Sequence, residues 1–141
     1  SEEALRLIEE ASYGVLATAD SDGQPYAVPL SYVFHDQCLY FHCAQEGVKL
    51  DNIRANPAVS FCVVGKTRTL PSKFATEYES ALIFGLAEEI QGAEKKEART
   101  KILEKSSPEH LDTGARYLEA KFDQTAVVKI SVSRLTGKAR R

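Results

Sequence analysis

The rhythm of apolar residues changes several times along the first half of the chain, and each change marks an element. Ala4, Leu7, Ile8 and Ala11 recur at helical spacing among acidic residues, which predicts a short amphipathic N-terminal helix. Tyr13 to Ala19 then reads as a strand, and Asp20-Ser21-Asp22-Gly23 as the turn after it, because Asp-Gly supplies the positive-φ position that a tight hairpin needs. A second strand is expected over Tyr26 to Phe34, with Pro29 inside it, and a third over Cys38 to Ala44 after the polar turn His35-Asp36-Gln37. Gly47 to Asn56 reads as a short helix: Leu50 and Ile53 share a face, and Pro57 ends it.

The second half continues the alternation. Ala58 to Val64 is a strongly apolar strand ending at Gly65, and Lys66 to Tyr78 reads as a long polar connection containing Pro71. Ser80 to Ile90 is the next strand, with Gly85 as a bulge or a point of close approach. From Ala93 to Phe122 the pattern is helical: Ala98, Ile102 and Leu103 lie on one face, Ser106-Ser107-Pro108 breaks the run, and Ala115, Leu118 and Phe122 line a second segment. A last strand, Thr125 to Leu135, leads into the basic tail Gly137-Lys138-Ala139-Arg140-Arg141. Six strands with three or four helices set between antiparallel hairpins predict a closed or partly closed barrel in the α+β or all-β class, as a single domain over residues 1–141.

Composition narrows the functional classes. The 141 residues carry 18 Lys+Arg against 20 Asp+Glu, a formal charge of −2, and the scattered cations give no broad footprint for nucleic acid. No apolar run approaches the roughly 20 residues of a spanning helix, so the expectation is a cytoplasmic protein without membrane attachment. Cys38, Cys43 and Cys62 form no C-x-x-C and read as buried, reduced thiols. His35, His42 and His110 stand far apart, and no metal site is expected. Gly65-Lys66-Thr67 has the ending of a P-loop, but Ser60 stands where that motif requires glycine. G-x-G-x-x-G and G-x-S-x-G are both absent, which excludes the Rossmann fingerprint and the nucleophile elbow.

The stretch Leu39 to Leu50 is the most informative. A strand ends near His42, the chain turns at Gly47, and a helix begins with Lys49 in its first turn. Free N–H groups, the positive end of the helix dipole and an ammonium group gather there, which suits a phosphate. Lys49 as a solvated helix residue and His42 as a strand-end residue facing water are the alternative. Pro29 removes a ladder donor, so Val28, Leu30 and Ser31 either offer backbone groups to a flat heterocycle or belong to a plain edge strand.

Gly14-Val15-Leu16-Ala17-Thr18, Asp22 to Tyr32, Leu39-Tyr40-Phe41-His42 and Gly47-Val48-Lys49-Leu50, with Leu70 to Ser80, Phe84-Gly85-Leu86-Ala87 and Thr136-Gly137-Lys138, resemble the FMN-binding split-barrel superfamily related to pyridoxamine 5'-phosphate oxidase. The nitroimidazole-resistance (Nim-like) group looks nearest. The matches span residues 12–138, and it is their shared order that is specific. The resemblance implies a mainly β (α+β) six-stranded antiparallel split barrel that forms a homodimer, with FMN in two clefts at the interface. By position, Val28, Pro29, Leu30, Ser31 and Tyr32 would face the isoalloxazine with backbone groups, His42 and Lys49 would approach the phosphate, and Asn52 would contribute from one turn further on. The segment Pro71 to Tyr78 and the strand Ser80 to Phe84 would lie near the interface.

Many relatives carry a basic residue where this chain has Val48, and a small one where it has Cys43, so the phosphate clamp would be either weaker or completed by Arg54, Arg68, Lys138 or Arg140. The activity implied is that of a flavin-dependent oxidoreductase, with a nicotinamide donor and, in the Nim-like case, a nitro-aromatic acceptor; the flavin does the redox step, so no catalytic side chain is named. A non-catalytic haem- or flavin-binding or storage protein, with His42 as the first iron ligand, is the alternative reading, and a dimeric scaffold with empty clefts is a third.

Overall fold

The computed structural model describes residues 2–73 and 75–140; the side chains of residues 67–70, 73, 75–78 and 140 are outside the described set. The N-terminal helix α1 (Glu2–Glu10) buries Ala4 and Ile8, and its first turn carries Glu2 and Glu3, where negative charge suits the helix dipole. Strand β1 (Tyr13–Ala19) alternates, burying Gly14, Leu16 and Thr18 while Tyr13 and Val15 face outward. The turn to β2 (Pro25–Ser31) is built on Asp20, whose Oδ1 accepts the N–H groups of Asp22 at 2.9 Å and Gln24 at 2.8 Å. Gly23 takes φ +85° there, the conformation that selects glycine.

The single second strand expected from the sequence is two strands. β2 ends at Ser31, Tyr32 turns inward, and β3 (Val33–His35) pairs with β4 (Cys38–Ala44) instead of with β1. The rest of the sheet comes from β5 (Ala58–Leu70), β6 (Ala75–Ile90) and β7 (Thr125–Arg140), in the antiparallel order β2-β1-β5-β6-β7-β4-β3. Its two edges are therefore consecutive in the chain, and the sheet rolls into a split barrel whose edges are joined through Tyr32. Among the described residues the count is seven strands, not six, because one run of β-forming residues serves both edges.

Tyr32 is 2 % exposed, and its hydroxyl donates to the carbonyl of Ile8 in α1. Its ring meets Phe61 edge-on at 4.9 Å, and Lys105 Nζ lies 4.1 Å from its face while donating to the Ala11 carbonyl at 2.6 Å. Inside the barrel Leu16, Leu39, Phe41, Phe61, Ile83 and Ile130 are fully buried, each worth about 2–3 kcal/mol of apolar burial. A second cluster lies on the outer face, where Tyr40, Ile90 and Val127 are covered by Ala98 and Ile102 of α3 (Gly92–Ser106). The break at 106–108 then leads to α4 (Leu111–Ala120).

The polar connection expected over Lys66 to Tyr78 is also different. β5 and β6 continue pairing from Thr67 opposite Tyr78 to Leu70 opposite Ala75, and the hairpin tip is a 3-10 turn at Pro71–Lys73. A register shift between Val64 and Thr67 falls at Gly65, where the Glu79 side chain sits only 2.5 Å from the place a Cβ would take. β7 runs on to Arg140 rather than stopping at Leu135, because the lengthened β6 offers it a partner as far as Tyr78. The expected irregularity at Gly85 is present, and a Cβ there would lie 2.3 Å from the Ser131 carbonyl oxygen.

Tyr32→Phe removes the donor to a buried carbonyl. It is expected to lower the unfolding free energy by about 1–3 kcal/mol in urea titrations; an unchanged midpoint would mean that the Tyr32 to Ile8 bond does not hold α1 on the barrel.

Candidate functional site

Between β4 and helix α2 (Val48–Ala55) the chain turns sharply at Gly47, whose φ of +150° demands glycine while the space around it stays open. Among the described residues no side chain caps this helix, so the N–H groups of its first turn are left for an outside acceptor. Lys49 stands half-buried in that turn. Its charge reaches Cys43, where it opposes the upward push that burial gives the thiol. The far side of α2 is tied down twice. Asn52, 5 % exposed, donates from Nδ2 to Thr18 Oγ1 on β1 at 3.0 Å, and Arg54 donates from Nε to Glu89 Oε1 on β6 at 2.7 Å. The corner is thus a fixed donor set for an anion, with uncapped amides, one ammonium group and an open glycine.

β2 reaches the same strand from the other side. Val28 lies opposite Leu16 and Tyr26 opposite Thr18, the residue that anchors Asn52. Val28 and Leu30 are half-buried against the core, whereas Pro29 and Ser31 are exposed on a sheet edge, as a strand proline requires. The Tyr32 side chain is committed to the interior, so only its backbone remains for a ligand.

His42 does not join Lys49 within one chain. Side chains alternate along β4: Leu39, Phe41 and Cys43 turn into the barrel, and Cys38, Tyr40 and His42 face α3. Crowding by protein and then the charge of Arg99 in α3 hold the His42 pKa below its ordinary 6.5, although much of the ring surface is open. Arg54 is occupied by Glu89, the side chains of Arg68 and Arg140 lie outside the described residues, and Lys138 pairs with β6 at Ser80. The turn at His35 carries one further cluster: α3 brings Glu97 to 3.3 Å from Nε2 of the half-buried His35, which Asp36 approaches at 3.2 Å.

Sequence reading passed over the cations of α3. Lys95, Ala98, Arg99 and Ile102 share one helical stripe; Ala98 and Ile102 pack against the sheet, and the two cations, each 3 % exposed, lie beside them over Phe122. That stripe was visible in the spacing. What the spacing did not show is that α4 and Phe122 would cover it.

A split barrel with an uncapped helix start behind a glycine turn is the architecture of a class of cofactor-binding proteins. The profile of the pyridoxamine 5'-phosphate oxidase family matches residues 1–139, and the chain belongs to that family. No curated protein matches it significantly. Among solved structures, a candidate 5-nitroimidazole antibiotic resistance protein of Bacteroides thetaiotaomicron superposes with a TM-score of 0.80 at 23 % identity, over 99 % of this chain and 83 % of its own. A FAD-binding protein of Mesorhizobium loti gives 0.69 at 24 %, over 100 % and 95 %, and the heme storage protein of Vibrio cholerae 0.74 at 14 %, over 96 % and 92 %. These likenesses show the shared split-barrel fold. Among the described residues no helix is long and apolar enough to cross a membrane.

Arg99→Met is expected to raise the His42 pKa toward 6.5 in an NMR titration of the imidazole protons. The sign follows from the lowered folded-state value: as pH falls below about 6.5 the unfolded chain takes the proton first, so His42 subtracts stability on the acid side. An unmoved titration would show that the two groups do not interact.

Proposed function

We propose that this protein is a flavin-binding oxidoreductase that holds FMN at the corner between β4 and α2. The observation that carries this reading is the uncapped first turn of α2 behind Gly47, with Lys49 in it, in a chain that belongs to the pyridoxamine 5'-phosphate oxidase family. A single terminal phosphate fits one ammonium group and a few amides. Lys49 pairs with it, and the amide N–H groups at the start of α2 donate to its oxygens. Asn52 keeps the helix in place through Thr18, and the backbone of Val28, Pro29, Leu30, Ser31 and Tyr32 lines the isoalloxazine edge. Bound flavin supplies hydride and electron transfer, here from a nicotinamide coenzyme to a small acceptor of the nitro-aromatic class. His42, on the far face of β4, bears on the phosphate only through the strand.

The homodimer is part of the proposal. Tyr13, Val15, Val64, Leu82 and Leu86 are exposed, from 37 % at Val15 to 62 % at Tyr13, on the outer face of β1, β5 and β6. Val15 and Leu82 flank Cys62 in register, so they form one apolar surface rather than scattered residues. A second copy of this chain is the partner that covers such a face and closes the flavin cleft. A second reading, haem binding or storage without catalysis, is favoured by one observation: the open His42 ring is kept neutral near pH 7, as an iron ligand must be.

Freshly purified protein tests these readings. A yellow solution releasing FMN, and oxidation of NADH or NADPH with loss of a nitro-aromatic's absorbance, support the first; a strong Soret band without flavin supports the second. Lys49→Ala is expected to raise the Kd for FMN by about 10- to 150-fold, the equivalent of about 1.5–3 kcal/mol for a charge-assisted contact, and an unchanged Kd would remove Lys49 from the phosphate. Leu86→Glu is expected to give a monomer in sedimentation that no longer retains FMN. A monomer that binds FMN with unaltered affinity would place the whole site within one chain.

A further inference from the structure

Arg99 is a buried cation without an acidic partner among the described residues. Its Nη1 donates to the Leu118 carbonyl at 2.7 Å, and its Nε, sealed from solvent, donates to nothing. Lys95 is buried beside it, and both lie over the Phe122 ring, at 4.4 Å for Lys95 Nζ and 5.4 Å for the guanidinium carbon. Two like charges sharing one aromatic ring in a dry setting is a costly arrangement unless an anion completes it. Asp123 acts on Lys95, whereas no carboxylate among the described residues acts on Arg99. Arg99 lies at the buried end of a cleft of about 470 Å³ between α3 and α4, a size that suits a small organic ligand.

The lining specifies the ligand. Ala115, Leu118 and Phe122 provide an apolar wall above Arg99, and the exposed rim carries Lys96, Glu119 and Asp123. We propose that the α3–α4 cleft is a second binding site, separate from the β4–α2 corner, for a small monocarboxylate with an apolar or aromatic body. A turn of the Arg99 side chain presents its unpartnered Nε edge to the carboxylate, where a planar fork matches it, and the body lies along Leu118 and Phe122. Glu119 and Asp123 at the entrance disfavour a doubly charged head group. Because Arg99 also acts on His42 across α3, an anion bound there reports on the sheet: it masks the guanidinium charge and lifts the His42 pKa.

Benzoate is the probe, titrated into full-length protein while the His42 imidazole signals are followed by NMR. Saturable binding that raises the His42 pKa is expected, weakened at least tenfold by Arg99→Met. Ala115→Phe, at an exposed position, fills the cleft without touching the buried charges and is expected to weaken it as much, which keeps the test open should Arg99→Met fold poorly. Lys49→Ala is expected to bind benzoate like the parent, whatever it does to flavin. Absence of saturable binding, equal binding of uncharged benzyl alcohol, tighter binding of phenyl phosphate, or retention of benzoate affinity in Ala115→Phe would each overturn the assignment.

Discussion

The placement of every other element depends on Tyr32. It is the residue at which a chain that has served one edge of the sheet crosses to serve the other, so its burial closes the barrel. A tyrosine suits that place because its ring fills space against Phe61 while its hydroxyl satisfies the Ile8 carbonyl of α1. Lys105 covers the other face of the ring and ties α3 to the end of α1 through Ala11. One side chain thus holds α1, two sheet edges and α3 in a fixed relation, and the β4–α2 corner inherits its position from that closure.

The chemistry of the corner follows from the alternation of β4. Period two sends Cys43 inward toward Lys49 and His42 outward toward Arg99, so two residues adjacent in sequence belong to different electrostatic environments. The inward side has a cation, uncapped amides and a helix braced by Asn52 on Thr18 and Arg54 on Glu89. Rigidity matters there, because donors held in place before a phosphate arrives lose little freedom on binding it.

The outward side has the opposite character. α3 places Lys95 and Arg99 on its packed face, and α4 with Phe122 then encloses them. Buried cations with incomplete partners are expensive for folding, and apolar residues of similar volume would serve packing as well or better. Their presence beside an open cleft is therefore better explained by something the cleft holds than by stability.

What could be read from the chain alone was whatever short-range physics dictates. The α1 stripe, the Asp-Gly turn, the helix after Gly47, the irregularity at Gly85 and the edge character of the Pro29 strand are each set by a few neighbouring residues. The order of motifs was enough to point to the family. The break at Tyr32, the extension of β5 and β6 through Thr67 to Tyr78, and the run of β7 to Arg140 depended on partners far away in sequence, because a polar segment becomes a strand only when another strand offers it a ladder. The faces of His42 and Lys49 and the burial of Lys95 and Arg99 were likewise decided by packing, since which side of a strand or helix is covered is a property of the assembled layers and not of the residues that line it.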